Sequence, residues 1–117
     1  MAKAVLFSGW TSAKTGREAL ANELFQQAMG IYAKWQQEGK IDSFEPVLLR
    51  PHGGDLNGFF LFRGDQAKLD ALRASDEWLE IETRAVLCLD GFGSTTGWVG
   101  ESLMQRMQVW QKHIPAK

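Results

Sequence analysis

The chain contains 117 residues with a formal net charge of -1 at pH 7, and 44% of them are apolar while 23% are charged. This balance excludes an intrinsically disordered segment and a strongly basic nucleic-acid-binding protein. No apolar run approaches the ~18 residues that a membrane helix needs. A single cysteine and the lack of a signal-peptide core predict the reducing cytoplasm. We therefore expect one domain over residues 1–117, with no nucleic-acid or membrane partner.

The first elements in chain order are a strand and a long helix. Residues 4–10 form a short run in which both the odd and the even positions are mainly apolar, which predicts a strand buried on two faces. Apolar residues then recur at helical spacing over residues 20–35, followed by Gly39 as a stop signal. Thr15 and Glu18 have the spacing of a capping box. Gly30 weakens the helix, which indicates a close approach of another backbone there.

Two further strands and a second helical segment follow. Residues 44–50 predict a strand, and Pro46 places it at a sheet edge or a bulge, because proline has no N–H to donate to a neighbour. After a turn-rich stretch, residues 59–63 predict the third strand, which pairs with the second as a hairpin with a long loop. Helical spacing returns from Asp65, and Ser75 predicts the cap of a second short helix.

The last part of the chain predicts a strand, a loop and a terminal helix. Residues 85–90 (AVLCLD) read as the fourth strand. The glycine-rich residues 91–100 predict a tight connection, and they lack the G-K-[ST] signature of a phosphate-binding loop. An amphipathic helix then carries Leu103, Met107, Trp110 and Ile114 on one face.

This order predicts a ferredoxin-like βαββαβ fold with an antiparallel four-stranded sheet and an extra C-terminal helix. Two main helices cover only one face of such a sheet, yet the strands are apolar on both parities. Five tryptophans and seven phenylalanines also exceed what so short a chain can hide. We therefore expect a homodimer in which a second copy covers the other face.

At this level the chain resembles the dimeric α+β barrel superfamily, which includes antibiotic-biosynthesis monooxygenase-like, muconolactone-isomerase-like and stress-responsive barrel proteins. The resemblance is carried by AVLFSGW, the hairpin ending in FFLFRGD, the block LDALRASDEWLEIETRAVLCLDGFG and the tail helix. It implies pairing as a dimeric α+β barrel. Haem-degrading relatives use a histidine on the second helix, and residues 65–84 contain none, so the resemblance does not extend to that activity.

Strand parity separates two sets of residues. One set is wholly apolar: Val5, Phe7, Val47, Leu49, Phe59, Leu61, Leu87 and Leu89. The other set mixes aromatic and polar residues, as small-molecule pockets do. It predicts a site for a small apolar or aromatic molecule, formed by Ser8, Trp10, Arg50, His52, Phe60, Phe62, Asp90 and Phe92. Alternatively, Arg50, His52 and Asp90 lie solvated or paired at strand ends.

Three function classes remain open. The first is a homodimeric small-molecule-binding domain. The second is a cofactor-independent monooxygenase or isomerase in which His52, Arg50 and Asp90 position or deprotonate the substrate. The third is a structural or protein-interaction domain. No nucleophile accompanies His52, and two histidines and one cysteine far apart have no metal-ligand spacing, so no catalytic residue, metal or cofactor is assigned.

Overall fold

The computed structural model describes residues 2–116. Within them the elements run β1 (Lys3–Trp10), β2 (Ser12–Ala13), α1 (Glu18–Gln37), β3 (Ser43–Leu48), β4 (Gly58–Asp65), α2 (Gln66–Arg73), α3 (Asp76–Cys88), β5 (Leu89–Asp90), β6 (Gly93–Trp98) and α4 (Gly100–Lys112). None of the helices in this range is long and apolar enough to cross a bilayer.

The main sheet has four strands in the order β3-β4-β1-β6, and all neighbours are antiparallel. This is the ferredoxin-like arrangement, so the predicted fold class is confirmed. β3 lies at an edge, as Pro46 predicts, since an edge strand leaves one side of its backbone unpaired. β2 and β5 form a separate two-stranded ladder.

The register decides which parity faces the helices. Directly paired residues lie on the same face of a sheet, and Ser8 pairs with Phe60 while Leu6 pairs with Phe62. These four residues are buried and define the helix-covered face. The alternate residues Val5, Phe7, Phe59 and Leu61 are only half-buried and define the open face. In β1 and β4, the mixed set of residues therefore faces the helices, and the wholly apolar set faces away from them.

An aromatic cluster packs α1 and α3 onto part of the helix-covered face. Tyr32 packs edge-on against Phe60 and Phe62, with ring centroids 4.9 Å and 4.8 Å away. Trp35 stacks on Trp78 at 6.1 Å, which joins α1 to α3. Aromatic rings bury large apolar areas and prefer such tilted or offset contacts, so this cluster fixes the helices on the sheet.

Two of the three helix boundaries predicted from the sequence agree with the structure. The Ser75 hydroxyl accepts a hydrogen bond from the Trp78 N–H at 3.2 Å, as predicted for a cap. Gly39 has a φ of 76° just after α1 and ends it. The capping box is wrong: the chain turns through Gly16, α1 starts at Glu18, and no side chain caps it.

Gly30 does not mark a close backbone approach. The residue is exposed on α1, and a Cβ added there would meet nothing within 4 Å. The expectation of a tight contact at this position is therefore wrong.

The predicted fourth strand over residues 85–90 is also wrong, since most of it is helix. Trp78, Ile81, Ala85 and Cys88 form one buried stripe that carries α3 through to Cys88. The run looked buried on two faces because it is continuously apolar, yet Val86 is 52% exposed. Within it, β5 alone is extended, and it pairs with β2.

The fourth strand of the sheet is β6, which lies in the segment predicted to be a glycine-rich connection. It pairs with β1 from Ala4 opposite Trp98 to Gly9 opposite Gly93. Glycine and small polar residues give little intrinsic strand signal. Backbone hydrogen bonds to β1 therefore determine this strand.

The terminal helix is present but packs little. α4 lies beside β1 and β6 and contains no buried residue. The Arg106 guanidinium lies 4.4 Å from the Trp98 ring centroid. The apolar side chains of α4 are exposed in the isolated chain: Leu103, Met104, Met107, Val109 and Trp110.

Candidate functional site

A cavity of about 400 Å³ lies between α1, α3 and the helix-covered face. Ser8, Trp10 and Phe60 supply its sheet wall, and Phe25 and Tyr32 supply its α1 wall. Ile81, Ala85, Leu89 and Phe92 close the opposite side. Its volume falls in the range of about 300 to 1,000 Å³ that small-molecule sites occupy.

The walls of the cavity are mostly aromatic and hold one another in place. The Phe60 ring lies 5.7 Å from Trp10 and 5.2 Å from Phe25 between centroids. Trp10 meets Phe25 edge-on at 6.3 Å. Such rings offer apolar contact area with few rotatable bonds, which suits a flat apolar ligand.

Gly58 makes room for the Trp10 ring. It is the direct partner of Trp10 in the β1–β4 ladder. A Cβ at this glycine would lie 2.6 Å from Trp10 Cζ2. Asn57 also fixes this end of β1, because its Nδ2 donates to the Thr11 carbonyl at 2.9 Å. The indole position is therefore set by the backbone around it.

The rim of the cavity on α1 is polar. Glu18, Asn22 and Gln26 occur every fourth residue along the helix, so they lie on one face, and all three are exposed. Among the described residues that line the cavity, Glu18 is the one with a formal charge. The site therefore presents no lining cation to an anionic ligand.

Two hydroxyl groups occur in the interior of the cavity lining. Ser8 and Tyr32 are each 3% exposed. Within residues 2–116, neither side chain takes part in a hydrogen bond, and neither oxygen is fully occluded from the cavity. Burial raises the pKa of Tyr32 well above its ordinary value of 10.0, because a phenolate there would lose its hydration. Both hydroxyl types are neutral near pH 7, and burial keeps the Tyr32 phenol protonated to higher pH.

The structure brings four of the eight predicted site residues to the cavity: Ser8, Trp10, Phe60 and Phe92. Phe62 is fully buried in the adjacent core, where it packs on Tyr32 and Trp78. It supports the site from behind without lining it.

The charged and ionisable predicted residues lie elsewhere. Arg50 and His52 are exposed in the segment between β3 and β4. His52 Nε2 lies 2.7 Å from the Leu56 carbonyl oxygen, and the Gly54 N–H donates to its Nδ1 at 3.2 Å. Asp90 is exposed and accepts from Lys14 Nζ at 2.8 Å. These three residues are exposed and lie outside the cavity lining.

Sequence reasoning missed the contribution of α1 to the site. Phe25 and Tyr32 lie on the same helical stripe as Leu24 and Ala28, and the predicted site contains no residue of this helix. The available signal was the polar residues Glu18 and Asn22 at the start of that stripe. A stripe that changes from polar to aromatic along one face fits a cavity with a rim at one end.

The described part of the chain contains no candidate metal site. Residues 2–116 contain no group of three or more histidine, cysteine, aspartate or glutamate side chains placed to hold an ion. Cys88 is a buried free thiol whose pKa is raised by desolvation, and it does not line the cavity.

No protein-family model matches the sequence, and a comparison with curated proteins finds no significant match. Solved structures do match. A dimeric ferredoxin-like protein of unknown function from Jannaschia sp. CCS1 has a TM-score of 0.65 and 17% identity, covering 83% of this chain and 99% of that one. A dimeric protein of unknown function with a ferredoxin-like fold from Bacteroides fragilis NCTC 9343 has a TM-score of 0.62 and 6% identity, covering 83% and 96%.

A third similar structure is SnoaB, a cofactor-independent oxygenase from Streptomyces nogalater. Its TM-score is 0.57 at 13% identity, and the match covers 88% of this chain and 98% of that chain. At these identities the likeness establishes the fold. The fold is shared by proteins of more than one function, so the site must carry the functional argument.

Proposed function

We propose that this protein is a homodimeric domain that binds a small apolar or aromatic molecule in the cavity between α1, α3 and the sheet. The observation that carries the proposal is the cavity of about 400 Å³ with aromatic walls between the helices and the sheet. Protein interiors contain few voids larger than a water molecule. A space of this size, with aromatic walls and a polar rim, has the composition of a ligand site.

A matched pair of variants tests ligand binding. Ala21 is half-buried on α1 and lines the cavity, so Ala21→Phe fills part of the space. Ala33 is exposed on the same helix, so Ala33→Phe adds the same ring outside the cavity. In a thermal-shift screen, small aromatic compounds that bind are expected to raise the melting temperature of the wild-type chain and of Ala33→Phe, but not that of Ala21→Phe. Equal shifts in all three would contradict binding in this cavity.

The open face supports the homodimer. Val5, Phe7, Phe59 and Leu61 are apolar and only half-buried, and α4 contains no buried residue. Monomeric proteins rarely expose large contiguous apolar patches. The two similar structures described as dimeric are consistent with a second copy covering this face.

The homodimer has its own test. Leu61→Lys places a charge on the open face, whereas Leu79→Lys places one at a residue that is already 57% exposed on α3. Light scattering at tens of micromolar protein is expected to give a dimer for the wild type and Leu79→Lys, and a monomer for Leu61→Lys. A monomeric wild type would remove the homodimer from the proposal.

The likeness to SnoaB favours one second candidate, a cofactor-independent oxygenase reaction in the same cavity. In such a reaction the bound substrate itself supplies the electrons to dioxygen. Dioxygen uptake with polyhydroxylated naphthalenes is expected to be faster with the wild-type chain than with Ala21→Phe. Uptake that does not depend on the protein would eliminate this candidate.

Dimerisation without any ligand binding would favour a structural or protein-interaction domain.

We also propose a cytoplasmic location. The chain has a single cysteine, and Cys88 is buried as a free thiol with no internal partner. Disulfides predominate in oxidising compartments, so a chain stabilised by packing alone suits a reducing one. Detection in the membrane or secreted fraction of its native cells would contradict this location.

A further inference from the structure

The two buried hydroxyls of the cavity have no protein partner. Ser8 belongs to the sheet wall and Tyr32 to the α1 wall, and each is 3% exposed. Among residues 2–116 neither side-chain oxygen forms a hydrogen bond, although each retains access to the cavity. Buried polar groups in native proteins nearly always have a partner. Because both oxygens are accessible from the cavity, a polar atom that enters the cavity from outside the chain can serve as their partner.

Both hydroxyl-bearing residues border the same aromatic ring. Ser8 is the direct cross-strand partner of Phe60, and the Tyr32 ring centroid lies 4.9 Å from that of Phe60. An aromatic ligand packed against Phe60 would therefore bring its substituents near one or both hydroxyls. The apolar contact and the polar contact belong to one site.

The charge around the cavity restricts the ligand further. Glu18 is the one charged residue among the described lining residues, and it lies at the exposed rim. A carboxylate or phosphate would enter an apolar space with no cation to pair with, which is unfavourable for a desolvated charge. A hydrocarbon would leave both hydroxyls unpaired, which is also unfavourable.

We propose that the Ser8 and Tyr32 hydroxyls hydrogen-bond an uncharged oxygen of the ligand, so that the cavity selects aromatic alcohols or ketones over hydrocarbons and carboxylates. This inference rests on the proposed ligand-binding function and adds its specificity. Ser8 can donate or accept, so it serves either kind of oxygen. Tyr32 remains protonated because of its burial, and it can donate to a carbonyl or accept from a hydroxyl.

Three probes share one ring system and differ in their substituent: naphthalene, 2-naphthol and 2-naphthoate. They separate the contribution of apolar contact from those of an uncharged oxygen and of a negative charge. Binding is measured by NMR titration of the wild type, Ser8→Ala, Tyr32→Phe and the double variant. The wild type is expected to bind 2-naphthol about three- to tenfold more tightly than naphthalene, since a net hydrogen bond contributes about that factor. It is expected to bind 2-naphthoate more weakly than both.

The variants remove hydroxyls while keeping the ring or the backbone. Each single variant is expected to reduce the preference for 2-naphthol about two- to threefold, and the double variant is expected to bind 2-naphthol and naphthalene equally. Thr15→Val removes an exposed hydroxyl outside the cavity lining, so it is expected to keep the wild-type preference. Thermal unfolding of every variant verifies that it is folded.

The outcomes distinguish this inference from the proposed function. If naphthalene and 2-naphthol bind the wild type equally, the hydroxyls do not select the ligand, while the cavity remains a binding site. If the double variant retains the preference, another group provides it, and the inference is overturned. If no probe binds even the wild type, the ligand-binding function fails and the inference fails with it.

Discussion

The two faces of the sheet are made from the same strands, yet they have different environments. On the helix-covered face Leu6 and Phe62 are fully buried, because α1, α2 and α3 pack over them. On the open face Phe7 and Phe59 lie against each other at 5.3 Å but remain half-buried. Both faces are rich in apolar residues, so hydrophobicity alone does not tell which face the helices cover. The helices pack on one face within the chain, and the other face is the proposed dimer surface.

The faces also differ in that the cavity lies on the helix-covered face. At the end of the helix-covered face where β1 finishes, Ser8 and Gly58 are small and Trp10 lies across the glycine. The cavity forms there because helices and twisted strands do not fill that corner with side chains. One face thus provides the proposed ligand site and the other the proposed dimer surface.

Truncation of one phenylalanine on each face gives the largest contrast. Phe62→Ala is expected to lower the free energy of unfolding by about 3–5 kcal/mol, because a fully buried ring is replaced by a cavity. Phe59→Ala, on the open face, is expected to lower it by about 1 kcal/mol when unfolding is measured on the monomer. Urea unfolding of both variants at low protein concentration provides the comparison. Equal losses would show that the open face is as well covered as the other within one chain.

Gly58→Ala is expected to have an intermediate effect on the helix-covered face. The new Cβ would lie 2.6 Å from the Trp10 ring and 3.0 Å from the Leu48 side chain, so the indole must shift. We expect a loss of about 1–3 kcal/mol in unfolding free energy, together with weaker binding of aromatic probes. Urea unfolding and probe titration measure the two effects.

Gly30→Ala is the matched glycine control for that variant. A Cβ there meets nothing within 4 Å on the exposed side of α1, so the substitution is expected to stabilise the chain by about 0.5–1 kcal/mol. If both glycine variants destabilised the protein equally, steric conflict at Trp10 would not be the cause.

The smallest effect is a pH dependence that originates on the helix-covered face. Tyr32 is the one tyrosine of the chain, and burial raises its pKa above the ordinary 10.0. The folded state therefore holds the proton more tightly than the unfolded state, so this contribution to stability is intact below pH 10 and is lost as the pH rises beyond it. The slope from this group is up to about 1.4 kcal/mol per pH unit.

Urea unfolding between pH 9 and pH 11 measures this slope. Tyr32→Phe is expected to remove the part of the decline that comes from the phenol. Ultraviolet absorbance of the phenolate provides a second measurement, because Tyr32 should ionise only when the chain unfolds. Ionisation of the folded wild type near pH 10 would mean that Tyr32 is solvated.

Much of the fold could be predicted because its signals are local. The pattern of residues 4–10, the stripe ending at Trp35 and the Ser75 cap each indicate their element without knowledge of the rest. The edge position of β3 also followed from Pro46. The helix–strand confusion in AVLCLD arose because a short apolar run satisfies both periods, and the buried stripe of α3 continued through it.

The candidate site was less predictable than the fold. Strand alternation assigns Ser8, Trp10 and Phe60 to one face, and all three line the cavity. Arg50, His52 and Asp90 lie away from the cavity. They could not be placed from the sequence, because side chains alternate between the two faces only within a strand and not in the loop beyond it. Phe25 and Tyr32 required knowledge of how α1 lies on the sheet.

By itself, the sequence determined the order of most elements, the ferredoxin-like class and the apolar character of both sheet faces, because periodicity and capping act over a few residues. Only the tertiary structure decided that β6 completes the sheet, since that strand depends on backbone hydrogen bonds to β1 and has little side-chain signal of its own. It also decided which parity the helices cover and where packing leaves a cavity. Those outcomes depend on contacts between segments far apart in the chain, which no local pattern specifies.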